Sequence, residues 1–171
     1  MTRVVVVGPS CSGKTTELKK HPVYHGTKFP FYRFGSTLFV ETDDIKAGLS
    51  DAEKEPRYAQ LDADLPPNVV FVTSTLKQVF RGWVAIAVLP PLEEFKRYRA
   101  ARAQDPQGFQ PKHSPEEEHA WYAAKFEGFS VYPTAASAYR AASQLLSETV
   151  GAPDTGMLTS TLARRRGHQV Y

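Results

Sequence analysis

Four consecutive valines, Val4–Val7, run directly into Gly8-Pro9-Ser10-Cys11-Ser12-Gly13-Lys14-Thr15, and no other stretch constrains the fold as tightly. A β-branched run with no polar alternation reads as a strand buried on both faces, which requires helices packed on either side of a sheet. The eight residues after it fit the pattern G-x-x-x-x-G-K-[ST], in the strand-to-helix context that gives the pattern meaning. Gly8 and Gly13 permit backbone angles and a close approach that a side chain would block. The loop amides then turn inward as a cradle for an anion, aided by the positive end of the following helix. Lys14 is placed to reach the β- and γ-phosphates of a nucleotide, and the Thr15 hydroxyl to hold Mg²⁺. The expected nucleotide contacts are Gly8, Pro9, Ser10, Cys11, Ser12, Gly13, Lys14, Thr15 and Thr16. Cys11 reads as a small filler of a tight turn, the alternative being a thiol activated by the helix start.

The rest of the chain alternates strands with helices, the pattern of an α/β domain around a parallel sheet of about five strands. After Arg3–Val7, further strands are expected at Thr37–Val40, Val69–Val72, Trp83–Leu89 and Phe129–Tyr132. Helices are expected at Lys14–Lys20, stopped by Pro22, and at Ile45–Tyr58, interrupted by Pro56. Leu92–Ala103 is a third. Ser114-Pro115-Glu116-Glu117 opens a fourth with a capping residue, Pro at the first helical position and a Glu placed for a capping box. Ala135–Thr149 is the last. Only Thr75–Gly82 separates the third and fourth strands, so the crossover there must be short. The 171 residues suit one domain, expected at 1–151, with a loosely attached tail at 152–171. A single cysteine excludes an internal disulfide framework, and no apolar run approaches the ~18 residues of a membrane span. No signal peptide is evident, and a soluble, cytoplasmic protein is expected.

Phe39-Val40-Glu41-Thr42-Asp43-Asp44 places two carboxylates where the second strand ends, on the side where open α/β sheets bind ligands. A carboxylate there is suited to take a proton from an attacking hydroxyl or to bind Mg²⁺ through water. That role falls on Asp43, while Asp44 is the candidate cap of the next helix. Lys96, Arg97, Arg99 and Arg102 follow the fourth strand as a basic cluster, readable also as a solvated face paired with Glu93 and Glu94. The third strand ends Phe71-Val72-Thr73-Ser74-Thr75, without the Asp that many phosphate-loop proteins place there for Mg²⁺. Thr15 and the acidic pair are left to hold the metal, with Ser74 as a water-mediated contact. The aromatic-rich segment His21–Phe34 reads as a packed hairpin or loop over the sheet, or as a platform on which a base stacks. The five histidines show no metal-ligand spacing.

From about Val4 to Phe129 the chain resembles the P-loop kinases of polynucleotide-kinase type, the small phage versions in particular. The resemblance rests on the Gly8–Thr15 loop, on Thr42-Asp43-Asp44-Ile45-Lys46 with the charged Asp51–Tyr58, and on Val88-Leu89-Pro90-Pro91-Leu92-Glu93-Glu94-Phe95-Lys96-Arg97. It implies a P-loop kinase fold with a short lid, ATP or GTP as phosphate donor, and Mg²⁺ held by Thr15 and Asp43. It implies Asp43 as general base on the acceptor hydroxyl, with Lys14 and a lid arginine as catalytic partners. Arg102 matches the lid position best and Arg97 second, with Arg97 also an expected contact to the nucleotide. Lys46 stands where the family carries an acceptor-binding Arg, and Lys cannot make the same two-pronged contact. Lys46 and Asp44 are thus the candidate acceptor contacts.

The implied function is phosphoryl transfer to a hydroxyl on a nucleic acid, DNA favoured. A DNA 5-hydroxymethyluracil kinase comes first, since the chain has no room for a fused repair phosphatase; a polynucleotide 5′-hydroxyl kinase comes second. A phage origin would place the protein in host cytoplasm. A (deoxy)nucleotide or other small-metabolite kinase, and a non-catalytic nucleotide-dependent binding module, are the alternatives. Residues 156–171 contain Arg164, Arg165 and Arg166 and no acid, which accounts for the whole net charge of +3. This tail is expected either to hold a phosphate backbone or to act as a solvated terminus.

Overall fold

The computed structural model describes residues 3–24, 29–104, 111–150 and 169–170. The Val4–Val7 run forms β1, at the centre of a mostly parallel sheet flanked by helices. In chain order the elements are β1, α1 (Lys14–Leu18), β2 (Val23–Tyr24), β3 (Phe31–Phe34), β4 (Thr37–Glu41), α2 (Thr42–Lys46), α3 (Asp51–Asp64) and β5 (Val69–Thr73). A single 3-10 turn at Gln78–Phe80 leads to β6 (Val84–Val88), α4 (Leu92–Ala103), α5 (Pro115–Lys125), β7 (Ser130–Tyr132), α6 (Ala135–Val150) and β8 (Gln169–Val170). The strands run in the spatial order β2-β3-β4-β5-β1-β6-β7, with β4, β5, β1, β6 and β7 parallel. Those five are the strands expected from sequence.

Alternation of side chains along β1 sends Val4 and Val6 to one face and Val5 to the other. The first face packs against α6 through Ala138, Tyr139, Ala142, Leu145 and Leu146. The second packs against Tyr58 and Leu61 of α3 and the aromatic group Phe71, Phe80 and Trp83, whose rings meet edge to face. Toward the C-terminal end of β1, Phe126 after α5 covers Val7 and Ala87. Burying one such aliphatic side chain contributes roughly 1.5–3 kcal/mol, so the apolar junction holds the following loop in place. Buried Arg3 caps the far end of α3. Its guanidinium pairs with Asp62 and donates to the carbonyls of Asp62, Leu65 and Pro66, taking up acceptors a helix end leaves open.

Several boundaries differ from expectation. The segment at Ile45–Tyr58 is two helices: α2 starts directly after β4, the chain breaks around Gly48 (φ 80°), and α3 runs through Pro56 because Tyr58 and Leu61 beyond it are buried. Asp44 does not cap α2; the capping position is Glu41, with no side-chain cap bond. The described part of the aromatic segment is the expected hairpin, but it does not lie over the sheet. It extends the sheet in plane, β2 on β3 and β3 on β4, both antiparallel, with Gly35 (φ 60°) in the two-residue turn. Phe31 and Tyr32 are buried on opposite faces, and Tyr24 is exposed. The short crossover is the 3-10 turn, pinned by fully buried Phe80. Gln169–Val170 pairs antiparallel with Val84 and Ala85 of β6, so the chain's last described stretch joins the sheet. β7 reaches only Ile86–Val88, and β8 covers the edge that it leaves open. Arg164, Arg165 and Arg166, and the 152–168 tail generally, lie outside the described residues, as does most of the Gln104–Lys112 loop. Among the described residues no helix is long and apolar enough to cross a membrane.

Candidate functional site

A cavity of about 660 Å³ opens at the carboxyl ends of β1, β4 and β5, where the strand order reverses around β1. Its floor is the Ser10–Thr16 stretch of the glycine loop; Glu41, Asp43 and Ser74 stand on one side, and Tyr98, Ala101, Arg102 and Thr134–Ala136 on the other. The loop keeps its shape by local bonds. The Ser12 amide and hydroxyl both donate to the Pro9 carbonyl (3.1 and 2.7 Å), and the Gly8 amide donates to Thr73 (3.2 Å). A Cβ at Gly8 would lie 2.7 Å from the Val88 carbonyl oxygen, so only glycine fits there. Gly13, at φ 80°, turns the chain into α1.

Lys14 is buried, and its Nζ donates to the carbonyls of Gly8 (2.5 Å) and Pro9 (2.6 Å) and to Ser12 Oγ (3.1 Å). Burial pushes its pKa down to about 8, opposed by the charges of Glu41 and Asp43 and assisted by Arg102. The Tyr139 hydroxyl of α6 donates to the Lys14 carbonyl (2.9 Å), anchoring the loop to the core helix. Cys11 is buried in the loop and burial raises its pKa, the direction that suits a space-filling residue and runs against an activated thiol.

Glu41, outside the set of site residues expected from sequence, is an acid bonded directly to this loop. Glu41 ends β4, is buried, and accepts a 2.5 Å hydrogen bond from Thr15 Oγ1. Desolvation raises its pKa, offset in part by the Thr15 bond and Lys14. The signal was a lone charged residue closing an otherwise apolar strand, Leu38-Phe39-Val40, at the ligand-binding end of the sheet. Thr73, where an Asp is missing, has its hydroxyl committed to Thr42 Oγ1 and to the Thr75 backbone. Glu41 pairs in register with Val72 on the neighbouring strand, so it brings a carboxylate to the same end of the sheet. Among the described residues no three His, Cys, Asp or Glu side chains form a metal cluster. The donor set at hand is Thr15 Oγ1 and the Glu41 carboxylate, hard oxygen ligands of the sort Mg²⁺ shares with phosphates.

The two predicted acids part ways. Asp43 lies on the cavity rim, about two-thirds exposed, with one oxygen 2.7 Å from Lys46 Nζ. Lys46 stands behind it, outside the lining. Asp44 is not at the cavity. Its Oδ2 is buried without a hydrogen-bond partner, and desolvation and the Asp43 charge raise its pKa, with Lys19 opposing them.

The arginines separate by helical geometry. Tyr98, Ala101 and Arg102 recur at i, i+3, i+4 and form the cavity-facing side of α4. Arg102 Nη1 donates to the Ser10 carbonyl (2.9 Å), bridging helix and loop. Arg97 lies about 140° round the helix, mostly exposed, paired with Glu94 (2.9 Å) and away from the cavity, contrary to its expected nucleotide contact. Lys96 likewise pairs with Glu93 and Glu116. Arg99 is buried, donating to the His113 carbonyl (2.7 Å) beside Glu118, and ties α4 to α5. No protein-family model matches the chain, and no curated protein matches its sequence significantly.

Proposed function

We propose that this protein is a P-loop kinase that transfers the γ-phosphate of ATP or GTP to a hydroxyl on a nucleic acid. The observation that carries the reading is the meeting, in one cavity, of buried Lys14, the Thr15–Glu41 pair, rim-placed Asp43 and Arg102. A cavity of about 660 Å³ matches a nucleotide-sized ligand. The triphosphate lies along Ser10–Thr16, where Lys14 exchanges its bonds to the loop carbonyls for phosphate oxygens. The base lies toward the exposed Tyr98 ring and Thr134–Ala136. Thr15 and Glu41 fit Mg²⁺, which would supply charge neutralisation across the phosphates when bound; Glu41 takes the metal-side role expected of Asp43.

Asp43, solvated at the rim and steadied by Lys46, accepts the proton of the acceptor hydroxyl. That oxygen forms a bond to the γ-phosphorus while the bond to the β–γ bridging oxygen breaks, and the nucleoside diphosphate leaves with the electron pair. Arg102, already at the loop, meets the charge that develops on the transferred group. A hydroxymethylated base in DNA is the first proposed acceptor and a polynucleotide 5′-hydroxyl the second. The test is γ-labelled ATP offered with hydroxymethyluracil DNA, unmodified DNA, RNA, and a set of nucleosides and nucleotides. Label on a polynucleotide supports the reading; label on small acceptors only makes the protein a metabolite kinase, and no transfer to any acceptor removes the enzyme assignment.

A further inference from the structure

Among the described residues, Trp121 of α5 is the most exposed of the large hydrophobic side chains, at 56 %. It sits at a shallow depression lined by Val7, Ser74, Thr75, Leu76, Tyr122 and Lys125, among others. Val7 immediately precedes the glycine loop, and Ser74 lines both this depression and the main cavity. Ser74 follows β5, the neighbour of the strand that leads into Asp43, so the residue common to both spaces stands on the side of the proposed general base. The depression holds about 20 Å³, room for one water-sized group, so a large ligand would lie across it and not enter it. Lys125 Nζ is 4.5 Å from the centre of the Trp121 ring, and Tyr122 meets that ring edge-on at 4.8 Å. A half-exposed indole with an ammonium group over its ring complements a planar base that carries a phosphate.

We infer that Trp121 is a stacking platform for a nucleobase of the acceptor strand, with Lys125 pairing an adjacent phosphate. The inference rests on the kinase reading and deepens it by naming how the acceptor is held. It also moves base recognition from the His21–Phe34 segment, whose Phe31 and Tyr32 are spent in the core, to α5.

The test uses the full chain and its own fluorescence, since the second tryptophan, Trp83, is only 6 % exposed. A single-stranded oligothymidylate is titrated against an abasic strand of the same length and charge. The inference expects the thymine strand to quench the exposed tryptophan and the abasic strand not to. Trp121→Ala should weaken binding of labelled oligothymidylate about 5- to 150-fold, the effect of losing one stacked base, while Trp121→Phe restores most of it. ATP affinity should be unchanged in both variants. Equal quenching by the abasic strand, or unchanged affinity in Trp121→Ala, overturns the inference even where ATP binding and phosphate transfer are normal. Loss of ATP binding by the wild-type chain would instead strike the kinase reading.

Discussion

Glu41→Gln separates a carboxylate that holds a metal from one that holds the fold, because the two roles predict opposite signs. The amide oxygen of Gln can still accept the bond from Thr15 Oγ1, so the substitution removes charge and little else. In the folded protein desolvation raises the Glu41 pKa. An acid with a raised folded-state pKa loses stability as pH rises from its unfolded value through the folded one, and carries the full penalty above that. At neutral pH the variant should therefore melt at the same temperature as wild type or higher. Its affinity for Mg-ATP should fall about 10- to 100-fold, the size of one hydrogen bond or ligand contact to a charged group (~1.5–3 kcal/mol). Its affinity for ATP without metal should stay level or rise, since a negative charge no longer faces the phosphates. The Glu41 charge also supports Lys14, whose pKa is about 8, so binding is best measured near pH 6.5, where the lysine keeps its proton in both proteins. Calorimetry with and without Mg²⁺ and a thermal melt complete the experiment. A variant that melts lower and binds Mg-ATP as well as wild type would refute the metal role and leave Glu41 a structural residue.

Asp43→Asn should keep ATP binding and lose about 10²–10⁴-fold in turnover, because an amide cannot take the acceptor's proton; steady-state kinetics with a saturating acceptor check this. Arg102→Ala should cut the rate of transfer by about tenfold or more, whereas Arg97→Ala, which removes only an exposed pair with Glu94, should leave it within twofold, as single-turnover assays would read. Lys14 has a folded-state pKa of about 8, and phosphate charge beside it will raise that value. ATP binding above about pH 8 should then take up a proton, and affinity should fall by up to tenfold per pH unit, checked by calorimetry in buffers of different ionisation heat.

The parts legible in sequence were those fixed by local chemistry. Val4–Val7 is a buried central strand because nothing in it tolerates water, and Gly8 and Gly13 mark a loop that a Cβ or an ordinary φ would break. Ser114 caps α5 through the Glu117 amide, as its spacing to Pro115 and Glu117 indicates. What escaped depends on residues far apart in the chain. Glu41 becomes a site residue only when the sheet brings the end of β4 against Thr15. The basic run ranks Arg102 above Arg97 only by resemblance, and it is the side of α4 facing the loop that separates them. The β2–β3 extension and the return of β8 to β6 are set by which sheet edges the other strands leave open, and no local pattern in Val23–Tyr24 or Gln169–Val170 announces it.

The central claim is that the Gly8–Thr15 cavity holds a nucleoside triphosphate through Lys14. Calorimetric titration of the full chain with Mg-ATP, beside Lys14→Ala of the same thermal stability, measures this directly. The account predicts one binding site per chain in the wild type and its loss in the variant. Equal binding by both proteins, or none by the folded wild type, would contradict it.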